Sequence, residues 1–146
     1  MATEDRIREM VDRETRAWDE KNTEKLISVF HPDMVWPWPP TQAQHDPIDW
    51  VLVQGKFSAS RWGKTWQELF DTYDLIHNIR TTQKVVVSKE EDGAFAVVDI
   101  DTLWKHRQTG KEMNWKGRTC KTYTRTEEGW KMIHQVGVLD YSKVGR

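Results

Sequence analysis

The 146-residue sequence has a single cysteine, Cys120, no excess of one charge and no long apolar run. One cysteine excludes an intrachain disulfide and favours a cytoplasmic location. With 22 basic and 23 acidic side chains, the chain lacks the excess positive charge that would indicate nucleic acid or an anionic membrane as a partner. No stretch approaches the roughly 18–20 apolar residues of a membrane span, and no apolar signal-peptide segment follows "MATEDR". We therefore expect one cytoplasmic domain over residues 1–146.

The motifs of common cofactor and nucleophile sites are also missing. The sequence holds no Gly-x-Ser-x-Gly, Cys-x-x-Cys or His-Glu-x-x-His, which argues against a serine nucleophile and zinc chemistry. "WGKT" at 62–65 resembles the end of a phosphate-binding loop, but Ser58 stands where that loop needs its first glycine. His31, His45 and His106 lie far apart in the sequence, without the close pairing usual in metal sites. We expect neither a metal nor an organic cofactor.

Tryptophan is the residue that the sequence has in excess, with nine among 146 residues. Overall hydrophobic content is only 37%, so large aromatic rings must provide much of the buried surface. Aromatic side chains fill cores, and they also line ligand pockets and interfaces. We expect core and dimer packing to account for most of the nine.

Helical spacing of apolar side chains predicts three helices in the first half of the chain, over residues 3–22, 22–30 and 60–74. Thr3 can cap the first, and Asn22 or Thr23 the second. The third helix has one heavily aromatic face, formed by Trp62, Trp66, Leu69, Phe70 and Tyr73.

The second half of the chain changes to the alternating or β-branched patterns of strands. Four strands are predicted, over residues 79–88, 94–106, 112–125 and 130–141. The turns between them each contain a glycine, as hairpins prefer. A short strand at 34–36 and a long loop at 40–58 precede the third helix. This order predicts an α+β domain with helices packed on one face of a curved antiparallel sheet.

The order of elements, together with "AWDEKNTEKL…FHPDM" early and "YTRTEEGWKMIH" late, resembles the nuclear transport factor 2-like superfamily in its SnoaL-like branch. The resemblance covers nearly the whole chain, and extends to the calcium/calmodulin-dependent kinase association domain. It implies a cone in which a curved antiparallel sheet wraps three N-terminal helices, with a pocket at the wide end. It also implies a homodimer that forms through the sheet.

The resemblance further implies a candidate catalytic pair, Asp19 and His77. In the scytalone dehydratase and hexachlorocyclohexane dehydrochlorinase type, an aspartate at the end of the first helix orients a histidine base. Asp19 in "DEKNTEKL" and His77 in "LIHNIRTTQ" match these positions. A neutral imidazole held by a carboxylate is a competent base near neutral pH. The pair would support a lyase, isomerase or cyclase that needs no cofactor.

A second interpretation of the same resemblance stays open: a non-catalytic domain that binds a small molecule or only assembles. The kinase association domain carries a counterpart of His77 without known catalysis, and Asp19 could simply end its helix in solvent. The tyrosine pair with which the dehydratase type holds its substrate carbonyl is replaced by Trp36 and Trp38. That replacement favours a different substrate or no chemistry.

The predicted pocket walls are aromatic: Trp36, Trp38, Trp62 and Trp66, with Tyr73 as a pocket hydroxyl. The expected ligand is small and apolar or aromatic; a quaternary ammonium held by cation–π contact is a weaker possibility. In "VWPWPP" (35–40), prolines end the strand. The alternate spacing of Trp36 and Trp38 puts both on one face, so either both line the cavity or both leave it.

Further candidates come from the strands. Asp99 and Asp101 share one side of their strand, which faces either the pocket or, as we favour, solvent. Arg118 and Lys121 could each contact an anion, but an odd and an even position cannot both face inward. His134 shares a predicted face with Trp130 and Met132, where it is either a pocket residue or a hydrogen-bonded core histidine.

Overall fold

A computed structural model describes residues 1–38, 48, 50–52 and 54–136. It confirms the predicted α+β order of helices followed by a long-stranded meander. The elements are α1 Thr3–Asp19, α2 Thr23–Ile27, β1 Phe30–Val35, α3 Ala59–Thr72, β2 Tyr73–Val87, β3 Gly93–His106, β4 Glu112–Thr126 and β5 Gly129–Gln135.

The five strands form one sheet in the order β1-β5-β4-β3-β2. Neighbours from β2 to β5 pair antiparallel, whereas β1 pairs parallel with β5 at the edge. The helices cover one face of this sheet, and α1 lies directly against it. Arg80 of β2, for example, donates to Glu14 of α1 at 3.2 Å. The predicted curved sheet with helices on one face is therefore confirmed.

Local sequence accounts for the helix boundaries. The Asn22 side chain accepts a hydrogen bond from Lys25 N at 2.9 Å and caps α2, as predicted. Ser58 caps α3 in the same way, through Arg61 N at 3.3 Å. Thr3 is the first helical residue of α1, rather than its cap.

The largest boundary error concerns β2, which begins at Tyr73 and not at residue 79. The strand follows α3 without a loop, and a bulge between Leu75 and His77 breaks the period-2 pattern. A bulge adds one residue to one strand, so the regular alternation that identifies a strand is lost there. Residues 137–141 of the last predicted strand, and most of the loop predicted at 40–58, lie outside the described residues.

The two faces of the sheet differ in what covers them. On the inner face, toward the helices, one row across β2, β3 and β4 contains Arg80, Ile100 and Gly117. On the outer face, the next row along contains Ile79, Asp101 and Lys116. Successive residues of a strand point to opposite faces, so neighbours in sequence can belong to different environments.

The interior between helices and sheet is packed with aromatic rings. Six tryptophans are among the buried hydrophobic side chains: Trp18, Trp36, Trp62, Trp66, Trp104 and Trp130. Most neighbouring rings meet edge to face, the arrangement that the ring quadrupole favours. Within the described part of the chain, no helix has the length and apolar character needed to cross a membrane.

Candidate functional site

A contiguous set of tryptophan rings occupies the space between α1, α3 and the sheet. We call it the aromatic cluster; it consists of Trp18, Trp36, Trp38, Trp66, Trp104 and Trp115. Trp66 is central, with ring centroids 5.3 Å from Trp36 and 5.1 Å from Trp18. Trp115 lies 5.5 Å from Trp18 and 5.6 Å from Trp104. The cluster joins the segment after β1, both long helices and the middle of the sheet.

Three indole N–H groups in this cluster are buried and have no hydrogen-bond partner among the described residues: those of Trp36, Trp66 and Trp104. The three residues are only 8%, 4% and 0% exposed. Both polar atoms of the Gln54 side chain are in the same condition. An unpaired buried polar group costs about 1–3 kcal/mol, so these groups are unusual in a well-packed interior.

Two other tryptophans have their indole N–H groups satisfied. Trp62 donates to the main-chain oxygen of Gln54 at 3.0 Å, and Trp18 donates to Glu14 Oε2 at 3.0 Å. Trp62 is 0% exposed and packs against Phe30 and Phe57. Of the four predicted pocket walls, Trp62 thus differs from Trp36 and Trp66 in having its indole N–H paired, although all three are buried in the core.

The predicted alternative for Trp36 and Trp38 is resolved in favour of the interior. Their rings lie 5.4 Å apart, and Trp38 also approaches Trp66 at 6.2 Å. Trp38 is partly buried against the core, and its backbone forms a bridge with Val51. The stretch therefore contributes two rings to the aromatic cluster. Tyr73 instead lies edge-on to His106 at 5.1 Å, at the start of β2.

Asp19 and His77 are not joined in the structure. The Asp19 carboxylate accepts from Asn78 Nδ2 at 2.9 Å, whereas His77 Nε2 lies 2.9 Å from Asp101 Oδ1. Because His77 and Asn78 are consecutive in β2, their side chains point to opposite faces. Asn78 takes the inward position next to α1, and His77 is left on the outer face with a different carboxylate.

The outer face holds the remaining polar candidates. Asp99 faces outward, as we favoured, and pairs with Arg118 of the next strand at 2.7 and 3.1 Å. Asp101 and Arg118 line an open depression of about 380 Å³ on this face, together with Ile79, Thr81, Asp99, Ile100, Lys116 and Gly117. They do not reach the aromatic cluster.

The expected face of His134 is wrong, because β5 contains a register shift. Met132 pairs with Tyr123 and His134 with Thr122, so Ile133 is an extra residue and reverses the alternation. His134 consequently shares the outer side with Thr122, away from buried Met132. Gln135 takes the inward position beside Lys121.

A buried group of charges adjoins the aromatic cluster, and the sequence did not identify it. We call Glu14, Arg80 and Lys121 the buried ion cluster; their side chains are 1%, 3% and 0% exposed. Lys121 Nζ donates to Glu14 Oε1 at 2.7 Å, and Arg80 donates to Glu14 Oε2 at 3.2 Å. The Arg80 guanidinium also lies 5.4 Å from the centre of the Trp18 ring, a cation–π contact.

Burial and mutual attraction shift the protonation of this cluster. Burial raises the pKa of the Glu14 carboxyl, but attraction to Lys121 and Arg80 outweighs it and leaves that pKa below its usual value. Burial lowers the pKa of Lys121 to about 8, because Glu14 only partly offsets the lost hydration. Burial also raises the pKa of the Tyr123 hydroxyl well above its usual value.

One signal in the sequence could have revealed Glu14. It lies seven residues after Ile7 and four before Trp18, and so falls on the buried stripe of α1. A carboxylate on an apolar stripe needs a buried partner. Nothing local in the sequence shows that Arg80 and Lys121 are those partners. Among the described residues, no three His, Cys, Asp or Glu side chains are grouped as metal ligands would be.

The chain belongs to the SnoaL-like domain family, whose model matches residues 1–135. No curated protein shows significant sequence similarity to the chain.

Solved structures share the fold at low sequence identity. A ketosteroid isomerase-like protein from Erwinia carotovora atroseptica matches with a TM-score of 0.67 at 13% identity, over 89% of this chain and 90% of that one. A conserved protein from Planctomyces limnophilus matches with a TM-score of 0.70 at 14% identity, over 90% and 91%. A nuclear transport factor 2-like protein from Rhodospirillum rubrum matches with a TM-score of 0.65 at 15% identity, over 92% and 98%.

Proposed function

We propose that the chain binds a flat, largely apolar small molecule at the aromatic cluster. The observation that carries the proposal is the set of buried indole N–H groups on Trp36, Trp66 and Trp104, for which the described part of the chain supplies no acceptor. Polar groups buried in native proteins nearly always have partners. A ligand with an acceptor oxygen would supply the missing partners, while its flat body would stack among the rings.

The proposal does not include acid–base catalysis by Asp19 and His77. Asp19 is hydrogen-bonded to Asn78, and His77 to Asp101 on the other face of the sheet. A base must reach the proton that it removes, and His77 lies on the far side of β2 from the aromatic cluster. A non-catalytic binding domain, in the cytoplasm, is the function that the arrangement supports best.

The test is a thermal-shift screen of flat aromatic compounds, with and without a carbonyl oxygen, on the purified protein. A ligand at 100 times its Kd should add about 2.7 kcal/mol to the free energy of unfolding. Trp36→Phe should weaken carbonyl ligands, because it removes an unpartnered donor. Trp62→Phe is the matched control, since the Trp62 N–H is already bonded to Gln54. Equal loss in both variants, or no ligand at all, would contradict the proposal.

A homodimer through the outer face of the sheet is a second proposal. Three apolar side chains on β2 and β3 are exposed there: Ile79 at 59%, Val86 at 40% and Phe95 at 40%. On the same face, Asp101 of β3 lies across from Lys116 of β4. A second copy related by a two-fold axis would meet this surface with the same mixture of apolar and opposite charges.

The mass in solution tests the dimer. We expect the mass of two chains for the wild type in sedimentation equilibrium, and of one chain for Ile79→Asp, which replaces the most exposed of these three apolar side chains by a charge. Ile48→Asp is the control, because Ile48 is 85% exposed outside the sheet. A monomeric wild type would overturn the dimer and leave the ligand site untouched.

A further inference from the structure

The buried ion cluster contains two cations for one buried carboxylate. Glu14 accepts from both Lys121 and Arg80, and its second oxygen also accepts from Trp18. The next acidic group that acts on Arg80 is Asp19, which is exposed and is bonded to Asn78. Among the described residues, the buried side chains at this point carry a formal charge of +1, which Asp19 offsets only from the surface. A buried charge that is only partly compensated is costly.

Two groups at the buried ion cluster, Tyr123 and Lys121, can form more hydrogen bonds than they form with the described residues. The Tyr123 hydroxyl is buried and has no hydrogen-bond partner within residues 1–38, 48, 50–52 and 54–136. It is close enough to Glu14 and Arg80 to interact electrostatically with both. Lys121 Nζ, which can donate three hydrogen bonds, donates to Glu14 Oε1 and Gln135 Oε1. The surroundings of the buried ion cluster therefore combine excess positive charge with a hydroxyl donor that no described residue pairs.

The sheet residues next to the buried ion cluster have small side chains. Tyr123 is paired with Ala94, and Lys121 with Ala96. Gly117 stands in the row of Arg80 and Ile100 and contributes no side chain to the inner face. Trp18, a member of the aromatic cluster, connects that cluster to the buried ion cluster, since its ring contacts both Arg80 and Trp66.

We propose that Arg80, Lys121 and Tyr123 bind the carboxylate of a flat aromatic acid whose ring system lies in the aromatic cluster. This inference rests on the proposed function and names its ligand class. One carboxylate would neutralise the excess charge and accept from the Tyr123 hydroxyl. Charge-assisted hydrogen bonds of this kind are about twice as strong as neutral ones.

A cationic or a neutral ligand fits the buried ion cluster less well than a carboxylate does. A quaternary ammonium would add a second uncompensated positive charge beside Arg80 and Lys121. A neutral carbonyl compound would satisfy indole N–H groups and leave the charge unbalanced. The pKa of Lys121 is lowered to about 8, because burial and the neighbouring Arg80 disfavour the ammonium more than Glu14 favours it.

The experiment is calorimetric titration at pH 7 with matched pairs: benzoate with benzamide, and 2-naphthoate with 2-naphthamide. Each acid should bind about tenfold more tightly than its amide. Lys121→Met should remove this preference and keep the affinity for the amide, because Glu14 and Arg80 remain as a balanced pair. Lys116→Met, on the outer face, is the matched control and should keep the preference.

Tyr123→Phe provides a second readout that does not depend on a change of charge. It removes only an unpartnered hydroxyl, so it should weaken the acids and leave the melting temperature of the free protein unchanged or higher. A lower melting temperature with unchanged acid affinity would give the hydroxyl a structural role and overturn its assignment. Acids and amides of equal affinity would overturn the inference and leave the proposed function standing. Failure of every compound to bind would overturn both, and a preference lost in Lys116→Met alone would place the anion on the outer face.

Discussion

The charged groups on the two faces of the sheet have similar geometry and different surroundings. Lys121 and Glu14 meet at 2.7 Å on the inner face, with side chains 0% and 1% exposed. Arg118 and Asp99 also meet at 2.7 Å on the outer face, with side chains 46% and 38% exposed. Water screens the outer pair, and its net contribution should be small. The inner pair has lost its water, so breaking it leaves a charge with no substitute partner. Burial, rather than distance, decides which pair matters.

The largest expected effect comes from removing the shared carboxylate. Glu14→Gln leaves Arg80 and Lys121 buried without an anion, and we expect a loss of roughly 3–5 kcal/mol in the free energy of unfolding. Asp99→Asn on the outer face should cost less than about 1 kcal/mol. Urea denaturation of both variants measures the difference. Equal losses would show that the two faces do not differ as described.

The next contrast uses two consecutive residues of β2. The Asn78 side chain donates to Asp19 and accepts from Arg80 and Thr102, so Asn78→Ala should cost about 1–3 kcal/mol. His77→Ala removes one partly exposed contact to Asp101 and should cost less than about 1 kcal/mol. The same denaturation measurement applies. A larger loss for His77 than for Asn78 would reverse the assignment of faces.

Lys121 should make stability rise with pH. Its pKa is about 8 in the folded protein against a usual 10.5, so between these values the unfolded chain binds more protons and folding gains as pH increases. We expect a gain of about 1–2 kcal/mol from pH 8 to pH 10. Above that range the raised pKa of Tyr123 acts in the opposite direction, since the unfolded chain loses the phenol proton first.

The control for this pH effect is Lys121→Met, which should lack the rise because it removes the titrating ammonium. Thermal unfolding at four or five pH values is sufficient. An identical rise in wild type and Lys121→Met would assign the pH dependence to another group.

The smallest contrast lies within the aromatic interior. Trp62→Phe leaves the main-chain oxygen of Gln54 without its indole donor, whereas Trp36→Phe removes a donor that has no partner. Both variants lose similar volume, so the hydrogen bond should make Trp62→Phe more destabilising by about 1 kcal/mol. Equal melting temperatures would contradict this difference between the two indoles.

The fold could be predicted because its signals are local. Helical spacing in α1 and α3, alternation in β3 and β4, and glycine in the turns repeat over many residues, so a single irregularity does not hide them. Each bulge in β2 and β5 adds one residue to its strand. These extra residues explain why the predicted start of β2 and the predicted face of His134 differ from the structure. An extra residue has no signature in an alternating sequence.

The candidate site was harder to predict, because it depends on pairings between distant parts of the chain. Glu14 and Lys121 are 107 positions apart, and no pattern in either segment indicates the other. On β2, Asp19 is hydrogen-bonded to Asn78, the residue after the predicted His77. For the tryptophans of "VWPWPP", alternate spacing predicts a common face, but nothing in the sequence shows which way that face turns.

The indole N–H resonances of the nine tryptophans test the central claim most directly. They can be followed in a nitrogen–proton correlation spectrum and assigned with Trp→Phe variants. On addition of a flat carbonyl ligand, the account predicts large downfield shifts for Trp36 and Trp66, which gain an acceptor. It predicts smaller changes for Trp62 and Trp18, which already have one. Shifts confined to Trp62 and Trp18, or a ligand that binds without moving Trp36 and Trp66, would contradict the account.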